Sequence, residues 1–130
     1  MKTRQTQALR CLIDTNVVIG LLKAQAASVN LLKASNCQLS ALAVSQITRL
    51  VLLGIVGTNA SEIRAIESFL SNVQVLLISS KAEAQTIVLR KSKKIKLPDA
   101  IVAETALAHG LELLTLDANL KSIFQMKAPN

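Results

Sequence analysis

The chain contains three aspartates, Asp14, Asp99 and Asp117, and their settings are related. Asp14 directly follows the apolar run Ala8-Leu-Arg-Cys-Leu-Ile13, and Asp117 follows Leu111-Glu-Leu-Leu-Thr-Leu116. Both runs read as short buried strands. Asp99 comes one residue after Pro98, in the first turn of a predicted helix. Parallel α/β sheets build their ligand sites at strand carboxyl ends, so two of the acids stand at such ends and the third at a helix start able to abut them. Carboxylates gathered there repel one another and call for a cation or a raised pKa. Hard oxygen donors suit Mg²⁺ or Mn²⁺, with water and substrate phosphates completing the coordination. Each Asp alone also fits an ordinary turn or helix-start residue; the trio is what points to a site.

Beside Asp99 lies Arg90-Lys91-Ser-Lys93-Lys94-Ile-Lys96, five cations in seven residues. Such a run either solvates a helix end or holds a phosphate backbone. Its closeness to Asp99 favours RNA held next to the acids. The one histidine, His109, precedes Gly110 and reads as a helix-end residue, so chemistry that needs paired histidines is excluded by count. Two Phe and no Tyr or Trp exclude an aromatic base-stacking surface.

The elements that must position these residues alternate. Thr15 to Lys23 and Ala26 to Ser35 carry apolar residues at helical spacing, and 38–44 reads as a strand entering a helix that ends near Gly54 or Gly57. Asn59 and Glu62 form a capping-box pattern opening a helix, and Val73–Ile78 is the clearest strand. Ser80 and Glu83 mark a second capping box, for a helix to about Lys91. Pro98 suits the first position of the next helix and Gly110 its stop. Strand and helix alternation calls for a parallel sheet with helices on both faces.

At 130 residues the chain fits one compact domain over 1–130. An apolar content of 51% excludes disorder. The longest apolar run, Leu50 to Gly57, is far below the ~20 residues of a membrane helix, and the first residues lack a secretory apolar core. Cys11 and Cys37 have neither zinc spacing nor the numbers of a disulfide scaffold, and read as core residues of a reducing, cytoplasmic compartment. Fifteen Lys and Arg against eight Asp and Glu give +7, favouring nucleic acid as partner over membrane. A mean hydropathy of +0.43 implies apolar surface covered by a second subunit or partner.

Four segments together resemble the PIN-domain nucleases, closest to the VapC-like ribonuclease toxins of bacterial toxin–antitoxin pairs. These are Cys11-Leu-Ile-Asp14-Thr15-Asn16, Ser45-Gln-Ile-Thr48, Leu97-Pro-Asp99-Ala, and Leu113-Leu-Thr115-Leu-Asp117, in family order across nearly the whole chain. The resemblance implies a three-layer α/β/α sandwich with a mainly parallel central sheet. It also implies Mg²⁺- or Mn²⁺-dependent endoribonuclease activity, a homodimer and a small antitoxin. Asp14, Asp99 and Asp117 would bind metal and catalyse, with Thr15, Asn16, Thr48 and Thr115 orienting carboxylates or water. Such a centre supports phosphodiester hydrolysis by a metal-activated water.

One position departs. The family carries a Glu three residues past the Thr of its second motif, and this chain has Val51 there. No acid occurs from Thr15 through Ser61 to replace it. Glu104 lies about 140° round the helix from Asp99 and is expected to face elsewhere. The site is therefore expected to have three carboxylates and a weakened metal hold, and the alternative reading is an inactive relative that binds RNA or the antitoxin. A haloacid-dehalogenase-type phosphatase, which also begins with an Asp after a strand, is excluded because it needs a second Asp where Asn16 stands.

Overall fold

The computed structural model describes residues 8–129. The opening residues read for a secretory core lie, apart from Ala8, outside the described residues. Four parallel strands, β1 (Cys11–Ile13), β2 (Leu42–Ser45), β3 (Gln74–Leu76) and β4 (Glu112–Leu114), form one sheet in the order β3-β2-β1-β4. The register sets Cys11 beside both Leu42 and Glu112. Chain order runs outward from β1 to β3 and then jumps to the other side of β1. The reversal point, where ligands of open α/β sheets bind, therefore lies between β1 and β4.

Pleating divides the strand residues between two layers. Cys11 and Ile13 of β1, with Leu42 and Val44 of β2, pack with Val17 and Val18 of α1 (Thr15–Leu22), Leu52, and Ile66 of α4 (Ala60–Ser71). Leu31 and Leu32 of α2 (Ala26–Ser35) join this layer. Leu12 and Ala43 face the opposite side, against Val102, Ala103 and Ala106 of α6 (Leu97–Ala108) and Leu120 and Phe124 of α7 (Ala118–Lys127). Leu89 of α5 (Ser80–Ser92) packs with Ala100 and Ile123 beyond them. The result is the three-layer α/β/α arrangement, with a core of aliphatic side chains. No single helix among the described residues is long and apolar enough to cross a membrane.

Several local expectations are refined. The strands are shorter than the apolar runs, and Val73–Ile78, the clearest in sequence, is a three-residue edge strand with Gln74 exposed. Between 38 and 56 the chain makes a 3₁₀ turn (Leu39–Ala41), β2, the six-residue α3 (Gln46–Val51), and a π-helical turn (Leu52–Val56) that carries it to Gly57. Asn59 Oδ1 accepts from the Glu62 N–H at 2.9 Å, but the Glu62 carboxylate reaches past the cap to the Thr58 N–H and hydroxyl. Ser79, not Ser80, caps α5, accepting from the Ala82 N–H at 3.1 Å. Pro98 occupies the second helical position, after Leu97, and Gly110 ends α6 with φ +65°. Cys11 and Cys37 are free thiols in one buried cluster, and burial together with the neighbouring Cys37 thiol pushes Cys11 up to about 12. That leaves it an inert core residue.

Candidate active site

Asp14 leaves β1 at the reversal point. Its N–H donates to the Leu114 carbonyl at 3.0 Å, tying it to the end of β4. Its carbonyl then accepts from Val17 and Val18, opening α1. The side chain is 3% exposed, with both oxygens engaged. Oδ1 accepts from the Thr15 N–H and Oδ2 from the Thr115 hydroxyl, each at 2.8 Å. Each oxygen keeps a further lone pair for a ligand. Burial raises the Asp14 carboxyl above its ordinary value; the Thr115 hydroxyl and Thr15 N–H pull it back, and the Asp117 charge pushes it up again.

Thr115 also links the acids. Its hydroxyl oxygen accepts from the Asp117 N–H at 3.0 Å while its proton goes to Asp14. Asp117 caps α7 by accepting from the Leu120 N–H through Oδ1 at 3.0 Å. Thr15 reaches the other way: its hydroxyl and that of the fully buried Thr48 are 2.8 Å apart, joining the Asp14 turn to α3. Val51, half-buried, is one turn past Thr48 and belongs to neither main apolar layer. Asn16 is exposed.

Asp99 is half-buried in the first turn of α6, and its carboxylate accepts no hydrogen bond among the described residues. Burial raises its carboxyl, Asp14 and then Asp117 raise it further, and Lys96 opposes them. The charges of Asp14 and Asp117 thus reach Asp99, and that of Asp117 reaches Asp14. Asp99 and Asp117 line an open groove of about 420 Å³ with Arg90, Lys94 and Lys96. Lys91 and Lys93, from the same basic run, are exposed and do not line it.

The donors are all carboxylate oxygens, and their mutual repulsion is what a hard divalent cation relieves, so the residue set fits Mg²⁺ or Mn²⁺. Among the described residues, however, no three His, Cys, Asp or Glu side chains stand together closely enough to enclose an ion. Glu104 adds no ligand: it is buried and takes an ion pair from Lys127. His109 caps the end of α6.

Sequence reasoning missed α7 and with it Asn119, which lines the groove. The signal was there: Leu120, Ile123 and Phe124 follow Asp117 at helical spacing and are all buried.

Residues 11–124 match the PIN domain family. No curated protein matches the chain. Among solved structures, a chain of a toxin–antitoxin complex from Klebsiella pneumoniae is 32% identical, with a TM-score of 0.69 over 82% of this chain and 86% of that one. VapBC2 from Rickettsia felis, bound to a promoter DNA fragment, aligns at 22% identity and TM-score 0.67, covering 84% and 88%. FitAcB from Neisseria gonorrhoeae aligns at 24% and 0.70, covering 92% and 96%. The last two carry the fold alone. A family match spanning most of the chain means that this chain belongs to the PIN domain family.

Proposed function

We propose that this chain is a Mg²⁺- or Mn²⁺-dependent endoribonuclease, the toxin of a toxin–antitoxin pair, acting in the cytoplasm. The observation that carries the reading is a groove in which Asp99 and Asp117 stand with Arg90, Lys94 and Lys96, on a PIN fold whose Asp14 leaves β1 at the reversal point. Asp14, Asp99 and Asp117 are the residues that would hold the ion. When bound, the ion supplies an activated water and neutralises charge on the phosphate oxygens. The chain's own work is positioning. Thr15 and Thr115 fix both oxygens of Asp14, Thr48 braces Thr15, and the Asp117 N–H holds Thr115 in turn. Arg90, Lys94 and Lys96 bind the RNA backbone, with affinity that depends on salt more than on sequence.

The partner is a small antitoxin. The 32%-identical relative comes from a toxin–antitoxin complex, and exposed Leu50 and Ile55 offer apolar surface for such a protein or a second copy of the chain. An antitoxin Arg or Lys entering the carboxylate cluster would displace the metal by charge pairing. A second reading, an inactive relative that only binds, is favoured by Val51, which stands where the family carries a Glu.

One experiment separates the two. Purified protein is incubated with RNA in Mn²⁺, in Mg²⁺ and in EDTA, with Asp14→Asn as control. Cleavage that needs the ion and is lost in the variant supports the nuclease. RNA binding without cleavage in any ion supports the binder.

A further inference from the structure

Two carboxylates are buried among the described residues, Asp14 and Glu104, and only the first belongs to the site. Glu104 is 3% exposed on α6, flanked by buried Ala103 and Thr105. A carboxylate so placed needs a partner. Its partner is the last residue of α7: Lys127 Nζ donates to Glu104 Oε2, with the lysine side chain 30% exposed. The pair joins the two helices that carry Asp99 and Asp117. α6 holds Asp99 in its first turn and Glu104 near its middle, while α7 starts from the Asp117 cap and ends at Lys127.

Between those ends α7 packs with α6 through apolar side chains. Leu120 and Phe124 meet Val102, Ala103 and Ala106, and Ile123 meets Ala100. Such contacts are non-directional and tolerate sliding. The charge-assisted hydrogen bond is directional.

We propose that Glu104 and Lys127 are positioning residues whose bond sets where α7 rests on α6, and so sets the placement of Asp117 relative to Asp99. Its consequence for metal binding rests on the reading of those two acids as ligands. Losing Lys127 leaves a buried carboxylate that must draw in water between the helices. The helix then shifts on its apolar bed, moving its far end, where the Asp117 N–H donates to the Thr115 hydroxyl.

The test compares Lys127→Ala, Lys127→Arg and the double variant Glu104→Met/Lys127→Met with the parent, at a temperature where circular dichroism finds each folded. Two readouts are taken: amide NMR shifts of Leu120 and Asp99 in metal-free protein, and Mn²⁺ affinity. Lys127→Ala is expected to move both amides and weaken Mn²⁺ binding by roughly tenfold or more, as changes to groups that orient ligands do. Lys127→Arg, which keeps the charge and the donor, is expected to restore both. The Met pair is expected to recover thermal stability but not the parent shifts or affinity, because it has no directional bond. Folded Lys127→Ala with parental shifts and parental Mn²⁺ affinity overturns the proposal, as does full recovery of both by the Met pair. If the parent binds no Mn²⁺ while the amides still respond to Lys127→Ala, the metal reading falls and the positioning role stands.

Discussion

The site has two unlike halves. On the β1–β4 side, Asp14 is buried, both its oxygens accept hydrogen bonds, and a chain of groups runs from Thr48 through Thr15, Asp14 and Thr115 to the Asp117 N–H. On the α6 side, the Asp99 carboxylate accepts no bond from the described residues and shares an open groove with Lys96, whose charge opposes that of the other acids. The difference separates two jobs. The braced half holds a ligand oxygen in one place, as precise metal chemistry needs. The open half leaves room and positive charge for a substrate. Asp14 also serves the fold as the cap of α1, whereas Asp99 makes no such bond.

Asparagine and alanine substitutions break that contrast most sharply. Asp14→Asn and Asp99→Asn are each expected to lower cleavage by more than about a hundredfold, beyond the usual cost of changing a group that only orients a ligand. Stability should separate the halves where activity does not. Asp14→Ala removes the cap of α1, a loss of about 1 kcal/mol partly offset by relief of its buried charge. Asp99→Ala has no cap to lose and should raise the Tm of the metal-free protein slightly at pH 7. Rate assays and thermal melts on the four proteins check both statements. Equal melts for the two Ala variants would mean that the braced half contributes nothing to the fold.

The groove comes next. Replacing Arg90, Lys94 and Lys96 together by Gln should weaken RNA binding and flatten the dependence of log affinity on log salt by about 2, near 0.7 for each single-strand phosphate no longer neutralised. Replacing Lys91 and Lys93, which do not line the groove, should change the slope little. Titrations at several salt concentrations decide it. Identical slopes for the two sets would return the basic run to a plain solvated helix end.

Val51→Glu sharpens the braced side. Val51 lies one turn beyond Thr48, whose hydroxyl meets Thr15 beside Asp14. A carboxylate there is expected to tighten Mn²⁺ binding and raise cleavage, and to lower the stability of the metal-free protein through repulsion. Unchanged Mn²⁺ affinity and cleavage would mean that this face of α3 does not look onto the acids.

The acids of the braced half were legible in the sequence because covalent order sets them at strand ends, whereas the bonds that brace them join residues 33 and 101 apart and came only through the family resemblance. An apolar run that stops at an acid is both the strand and its carboxyl end, so Asp14 and Asp117 could be placed without coordinates. The open half was less legible. The basic run was visible, yet which of its cations turn to the groove depends on how α5 ends and α6 begins, and periodicity does not fix the irregular stretch between them. Asn119 was missed because α7 was: the apolar signal of Leu120, Ile123 and Phe124 is brief and follows the last strand closely. The ion pair of Glu104 with Lys127 spans 23 residues and two helices, and spacing on one helix could say only that Glu104 turns away from Asp99.

The smallest expected effect is on pH, and its sign tests the charge crowding directly. Asp14 and Asp99 both have carboxyls raised above their ordinary values, first by burial and then by neighbouring acids or, for Asp14, against the pull of its hydrogen bonds. A raised carboxyl means that the folded protein binds more protons than the unfolded chain across the interval between the two values. Stability from these groups therefore falls as pH rises through that interval, and is regained on acidification from neutrality into the mildly acidic range. Metal-free protein should melt slightly higher there than at pH 7, until other carboxylates protonate. Mn²⁺ competes for the same oxygens and should reverse the trend, stabilising more at pH 7 than in mild acid. Asp14→Asn should flatten both dependences more than Asp99→Asn, since Asp14 is the more deeply buried acid. Melts across pH with and without Mn²⁺ read all three, and a metal-free parent more stable at pH 7 than in mild acid would mean that the acids are not crowded in solution.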